Sequence, residues 1–149
     1  MKEEKLIVPN DLLLGEVNTL LLEGRSVILM TKGSSMLPFI RGDKDSVELV
    51  RSTTLKPGDI ALAHLSDGRY VLHRIAALSD VVTLKGDGNL DVTESCTPDD
   101  VSGVVLRIIR PRARSLDCNS ARFIRWSRRW SKAPRIVRRF FLAVYRRII

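Results

Sequence analysis

The sequence predicts a mainly β fold, in which an antiparallel β domain follows one short helix and precedes a basic amphipathic helical tail. Short apolar runs of strand length recur between turn sequences rich in glycine, proline and aspartate. No helical segments separate them, as parallel strands would require. A leucine pattern at helical spacing comes before these runs, and arginines with interspersed aromatic residues come after them.

The composition is that of a globular domain with an appendage. The 149 residues are 44% hydrophobic and 28% charged, which excludes a disordered or collagen-like chain. Residues 107–149 carry 14 lysines and arginines and one acid, whereas residues 1–106 carry a net charge of −5. The basic character therefore belongs to the tail, and we divide the chain into a β domain at 1–110 and a helical tail at 111–149.

The elements of the β domain follow from local signals. The leading helix should begin at Asn10 or Asp11, either of which can cap it, and end at Gly24. Asp67-Gly68 is a signal for a two-residue hairpin turn, and the register that it sets would place His64 and His73 on the same sheet face. The apolar runs predict strands at residues 26–31, 46–50, 60–65, 70–76, 81–85 and 101–109.

The tail after Pro111 has apolar residues at spacings of three, four and seven, and it should break near Ala133-Pro134. Three partners remain open for this helix. Its aromatic face suits an anionic membrane surface or a membrane protein, its arginines suit nucleic-acid phosphates, and its apolar stripe could pack on the β domain. We favour the membrane and the packed arrangement over nucleic acid.

One turn carries candidate chemistry. After the first strand, Gly33 turns the chain and presents Ser34 and Ser35 among backbone N–H groups that could stabilise an oxyanion. A serine hydroxyl needs a base to become a nucleophile, and the candidates are His64, His73 or a lysine. Taken alone, such a turn is more often structural than catalytic.

Several segments together resemble, in order, the signal peptidase I superfamily, which also contains the self-cleaving SOS-repressor domains. Residues 35–38 (Ser-Met-Leu-Pro) match the block around the family's nucleophile, and Gly42-Asp43 follows as in the family. Residues 57–60 (Pro-Gly-Asp-Ile), 71–75 (Val-Leu-His-Arg-Ile) and 86–89 (Gly-Asp-Gly-Asn) match later blocks. The resemblance covers about residues 30–109, nearly the whole β domain.

The resemblance implies a signal-peptidase-like β domain and a serine endopeptidase with Ser35 as nucleophile. Bacterial-type members carry a lysine where this chain has His73, whereas the endoplasmic-reticulum, archaeal and sporulation types carry histidine. His73 is therefore the expected general base, since imidazole titrates near neutrality. For the acid that orients it we favour Asp91, although it follows the last block more closely than in relatives, over Asp87, which could instead be a turn residue.

The neighbours of Ser35 are assigned by position. Ser34 is either a helper at the oxyanion site or a rival nucleophile, and the serine that directly precedes Met36 is the one that matches the family. Gly33 stands where bacterial-type members often have a hydroxyl, so the backbone N–H of Ser35 should carry more of the oxyanion stabilisation. The alternative base, His64, is expected to be a partly exposed strand residue.

No metal is expected, because Cys96, Cys118 and the two histidines lack ligand spacing. The serine endopeptidase that the resemblance implies needs no cofactor. The resemblance implies that the substrate is a peptide or a precursor leader, with small side chains before the cut. The alternative is a non-catalytic peptide-binding or assembly module of the same fold. A DNA-binding regulator is not expected, because one leading helix cannot form a helix-turn-helix. With no signal peptide or spanning helix in the sequence, we expect a cytoplasmic protein, peripheral at the inner face of the membrane.

Overall fold

The computed structural model describes residues 10–149, and their side chains from residue 13 onward. In chain order, a mainly antiparallel sheet follows a leading helix and precedes two C-terminal helices, which confirms the predicted class. The helices are α1 (Asn10–Leu22), α2 (Ala121–Lys132) and α3 (Arg135–Ile148), and a 3-10 turn spans Pro98–Asp100. The strands are β1 (Val27–Met30), β2 (Ser46–Val50), β3 (Ile60–His64), β4 (Tyr70–Leu78), β5 (Val82–Lys85), β6 (Glu94–Cys96), β7 (Val101–Ile109) and β8 (Leu116–Asp117).

The sheet has the strand order β1-β2-β7-β3-β4-β5-β6, and β8 pairs with β7 on the side of β3, beyond the end of β3. Every described pairing is antiparallel. The larger core cluster joins α1 to the sheet through Val17 and Leu21, which are 3% and 0% exposed. A second cluster, around Ile75 and Leu84, lies among β3, β4, β5 and β6. The capping expected of Asn10 or Asp11 lies outside the described side chains.

The hairpin between β3 and β4 differs in register from the prediction. Ala61 pairs with His73 and His64 pairs with Tyr70, so three residues, 66–68, form the loop. Gly68, at a φ of +93°, supplies the left-handed residue that closes a three-residue loop. Since a one-residue shift exchanges the faces of a strand, the prediction that His64 and His73 share a face is wrong. His64 is exposed and stacks on Tyr70, with 4.2 Å between ring centroids.

The tail divides into two helices at the predicted break, and the two behave differently. On α2, Phe123 is 3% exposed and packs edge-on against Phe39 at 5.5 Å between ring centroids. Trp130 of the same helix donates its indole N–H to the carbonyl oxygen of Asp87 at 2.9 Å. The apolar stripe of α2 therefore packs on the β domain, whereas α3 buries Leu142 and leaves several large apolar side chains exposed. Within residues 10–149, no helix combines the length and apolar character needed to cross a membrane.

Candidate active site

The loop between β1 and β2 presents Ser35 from a firmly held backbone. The Thr31 hydroxyl donates to the carbonyl oxygen of Asp45 at 2.8 Å, and this hydrogen bond holds the two ends of the loop together. The fully buried Asp45 carboxylate accepts from the backbone N–H of Arg41 at 2.8 Å and from its guanidinium at 2.9 Å. Met36, directly after Ser35, is buried in the larger core cluster. Ser35 is thus half-buried on a segment that is anchored on both sides.

The glycine-rich segment 86–89 lies directly against this loop. The Gly88 N–H donates to the carbonyl oxygen of Ser35 at 2.8 Å. A Cβ at Gly86 would overlap that same carbonyl oxygen, and a Cβ at Gly88 would lie 2.6 Å from the carbonyl oxygen of Ser34. The two backbones can approach this closely only because both positions lack a side chain.

The Ser35 hydroxyl and the His73 imidazole meet at this loop. Ser35 Oγ lies 3.2 Å from Nε2 of His73, a residue 38 positions later in the chain. His73 lies on β4 and is 7% exposed. Of the two predicted serines, the one next to Met36 is therefore the one in hydrogen-bond distance of an imidazole, while Ser34 has an exposed side chain.

A carboxylate faces the other ring nitrogen of His73, and it belongs to Glu94. Oε1 of Glu94 lies 3.4 Å from Nδ1, an ion-pair distance at which the two groups are not aligned as a hydrogen bond. The strand register explains this placement. Glu94 of β6 pairs with Leu84 of β5, and Leu84 pairs on its other side with Ile75 of β4, which is two residues beyond His73. A carboxylate beside Nδ1 favours the tautomer with its proton there, which leaves Nε2 free to accept from Ser35.

Neither aspartate named from the sequence faces the imidazole. Asp91 is exposed and forms an ion pair with Arg135 of α3. The Asp87 carboxylate accepts two hydrogen bonds from Arg74, at 2.6 and 3.1 Å, and Arg74 follows His73 on β4 and so points to the opposite face. Both aspartates are thus held by arginines, and the choice of Asp91 or Asp87 has to be replaced by Glu94.

A signal for Glu94 was present in the sequence. The resemblance to the signal peptidase superfamily implies an acid several residues after the Gly-Asp-x-Asn block, and Glu94 lies five residues after Asn89. It was missed because β6 has only three residues, too few for an alternating pattern to be recognised.

The second oxygen of Glu94 is held by Arg69, at the end of the β3–β4 loop. The guanidinium of Arg69 donates to Oε2 of Glu94 at 2.8 Å, and it also donates to Asp67 at 2.7 Å. Arg69, Glu94, His73 and Ser35 therefore form a continuous series of polar contacts. Its far end is exposed and its Ser35 end is partly buried.

The electrostatics favour a neutral imidazole. Burial lowers the pKa of His73, because the charged form loses hydration. The Glu94 carboxylate and, to a smaller extent, that of Asp87 oppose this shift by raising the pKa, whereas Arg69 adds to it. The net lowering keeps the base form populated at neutral pH, as proton acceptance from Ser35 would require.

Backbone donors are also present at this position. Within residues 10–149, the amide N–H groups of Ser34, Ser35 and Met36 donate to no backbone or side-chain acceptor. Free N–H groups next to a nucleophile can stabilise negative charge on a substrate oxygen. The side chain of Met36 points into the core, so any binding contribution of this residue comes from its backbone.

The cysteines lie apart from this chemistry. Cys96 and Cys118 are both free thiols, and burial raises the pKa of Cys118 to about 12. The described part of the chain contains no group of three or more histidine, cysteine, aspartate or glutamate side chains that could hold a metal ion.

In comparisons with known proteins, no protein-family model matches the chain, and no curated protein matches it. The resemblance to the signal peptidase superfamily therefore rests on the sequence blocks and remains a prediction.

Proposed function

We propose that the protein is a signal-peptidase-like serine endopeptidase that acts through Ser35, His73 and Glu94. One observation carries the proposal. The Ser35 hydroxyl lies 3.2 Å from one ring nitrogen of a buried imidazole, and a carboxylate lies 3.4 Å from the other. This order of hydroxyl, imidazole and carboxylate is the arrangement that activates a serine for acyl transfer.

In the first half of the reaction, His73 Nε2 takes the hydroxyl proton while Ser35 Oγ bonds to the carbonyl carbon of the scissile peptide. The carbonyl π electrons move to oxygen, and the free amides of residues 34–36 donate hydrogen bonds to that oxyanion. Glu94 stabilises the imidazolium that forms. When the intermediate collapses, the C–N bond breaks and His73 returns the proton to the leaving amine, which leaves an ester on Ser35.

In the second half, water replaces the amine. His73 Nε2 takes a proton from water while the water oxygen bonds to the ester carbon. Collapse of this second intermediate breaks the bond to Ser35 Oγ, which regains its proton from the imidazolium, and the new carboxylic acid is released. These proton transfers and changes of covalent bonds need no redox step and no cofactor.

The peptide-binding surface is proposed to be the edge of β1. This strand leads directly into the Ser35 loop, pairs only with β2 among the described strands, and leaves Ile28 39% and Met30 50% exposed. An extended peptide could add to this edge through main-chain hydrogen bonds, with its side chains alternating between the two faces. The scissile carbonyl would then reach the serine through the same loop.

The proposal is tested by trapping the acyl-enzyme. The full chain is incubated with an activated ester at neutral pH, and intact mass and peptide mapping locate the added acyl group. We expect one acyl group on Ser35, its loss in Ser35→Ala, and its retention in the matched variant Ser34→Ala. Absence of acylation in a chain that melts cooperatively would overturn the proposal and favour a non-catalytic peptide-binding module of the same fold.

A further inference from the structure

The outward face of α3 is apolar, although the helix is among the most basic segments of the chain. Ile136, Phe140 and Ile148 are 77%, 72% and 73% exposed, and Val137 and Val144 are about half exposed. Isolated exposed apolar residues are ordinary, but five on a single 14-residue helix form a patch that calls for a partner.

The helix geometry shows that this patch faces away from the body of the protein. Leu142 is 3% exposed and is the residue through which α3 is buried. At about 100° per residue, Phe140 and Val144 each lie about 160° around the helix from Leu142. An amphipathic helix normally buries its apolar stripe on its own domain, as α2 does with Phe123. In α3, by contrast, the apolar stripe faces outward.

Charge identifies the kind of partner. Residues 121–149 contain ten arginines and lysines and no acid, and five of the arginines are on α3. A second copy of this tail would bring two segments of the same net charge together, which disfavours self-association. Nucleic acid would engage the arginines but would leave the phenylalanine and isoleucine side chains in water.

We propose that α3 docks on an anionic lipid bilayer, with its apolar face in the interface and Arg147, the arginine on that face, at the lipid phosphates. The apolar side chains then leave water, and the positive charge of the tail, which no acid in residues 121–149 offsets, is attracted to the anionic lipids. Arg147 lies about 140° around the helix from Leu142, within the apolar face, and its side chain is long enough to reach the headgroup level. The other four arginines of α3 lie within about 60° of Leu142, on the side turned to the body.

The position of α3 relative to the candidate active site is set by two contacts of the tail. Arg135, the first residue of α3, pairs with Asp91, and Trp130 of α2 donates to the Asp87 carbonyl. Both partners lie in or directly after the glycine-rich segment that contacts the Ser35 loop. Docking through α3 would therefore hold the Ser35 loop at a defined place relative to the bilayer. The inference itself depends on α3 alone and stands whether or not the protein is a peptidase.

The test is co-sedimentation of the full chain with vesicles at about 0.15 M ionic strength. One set of vesicles is phosphatidylcholine, and the other is phosphatidylcholine with phosphatidylglycerol at a ratio of three to one. We expect binding to the anionic vesicles and little to the neutral ones. In the double variant Ile136→Ser/Phe140→Ser, the loss of each apolar side chain should weaken binding by about tenfold, because the favourable free energy of transferring it from water to the bilayer interface is lost. Arg147→Gln should weaken it by about fivefold, whereas Arg146→Gln, on the side turned to the body, should weaken it less.

The matched control is Val81→Ser, which removes a 47%-exposed apolar side chain from the β4–β5 turn and should bind as the unchanged protein does. Both serine variants replace exposed residues, so their thermal midpoints should stay close to that of the parent. The proposal would be overturned if the protein did not sediment with vesicles or bound both kinds of vesicle equally. It would also be overturned if Val81→Ser lost as much vesicle binding as Ile136→Ser/Phe140→Ser. Self-association that Ile136→Ser/Phe140→Ser abolishes, without vesicle binding, would assign the face to a second copy instead.

Discussion

Replacement of Glu94 by glutamine isolates the carboxylate that sequence motifs did not identify. The substitution keeps the shape of the side chain and removes its charge. The 3.4 Å separation from Nδ1 and an effective dielectric constant of about 20 give an imidazolium–carboxylate attraction of about 5 kcal/mol. Arg69 shares the same carboxylate and the glutamine keeps a dipole, so we expect a loss of roughly 3–4 kcal/mol of transition-state stabilisation.

That loss corresponds to a fall of about 10²–10³-fold in the rate of Ser35 acylation. The assay is the pseudo-first-order rate of mass gain on Ser35 with an activated ester, measured at a pH where His73 is neutral in both proteins. Because the attraction exists only once the imidazole is charged, the concentration of ester needed for half-maximal rate should change little.

The matched control is Asp91→Asn, which removes an exposed carboxylate paired with Arg135 on the surface. Exposed pairs contribute about 0–1 kcal/mol, so acylation should stay within about fivefold of the parent rate. The reasoning is refuted if Glu94→Gln acylates at the parent rate, or if Asp91→Asn is the variant that loses activity.

Three further outcomes follow from the same contacts. Arg69→Gln should shift the acidic limb of the pH–rate profile to higher pH, because Arg69 lowers the pKa of His73 and its removal raises it. Gly86→Ala should abolish acylation and lower stability by about 1–3 kcal/mol in chemical denaturation, because the added Cβ overlaps the Ser35 carbonyl oxygen. Iodoacetamide should leave activity intact, since burial raises the pKa of Cys118 to about 12 and the thiol stays protonated.

Each outcome has its own control. A profile in Arg69→Gln that is unmoved or displaced to lower pH would contradict the role assigned to the guanidinium. For the glycine, Gly15→Ala on α1 adds a Cβ with no heavy atom within 4 Å and should retain both stability and activity. Rapid inactivation by iodoacetamide, with adducts on either cysteine, would show that a thiol takes part.

The sequence predicted the elements that have a strong local pattern. The β class, the leading helix and the break at Ala133-Pro134 each follow from periodicity or from a residue with a restricted backbone. The approach of Ser35 to His73, which the family blocks led us to expect, depends on the sheet, because neither residue carries a local signal for its partner.

The parts that were not predicted depend on strand register and on very short strands. A turn of three residues instead of two moved His64 to the opposite face from His73, and no propensity distinguishes the two lengths at Asp67-Gly68. Glu94 lies on a three-residue strand that is defined by pairing with β5. The orientation of α3 was not predicted either, since an amphipathic pattern shows which face of a helix is apolar but not whether that face packs on the protein or points outward.

The most direct test of the account is the acylation rate of Ser35 in His73→Gln, measured at neutral pH alongside the thermal midpoint. The account predicts a fall of about 10²–10⁴-fold with a cooperative fold retained, because the imidazole at the hydroxyl has been removed. A variant that acylates Ser35 as fast as the parent would contradict the proposal that His73 deprotonates this serine.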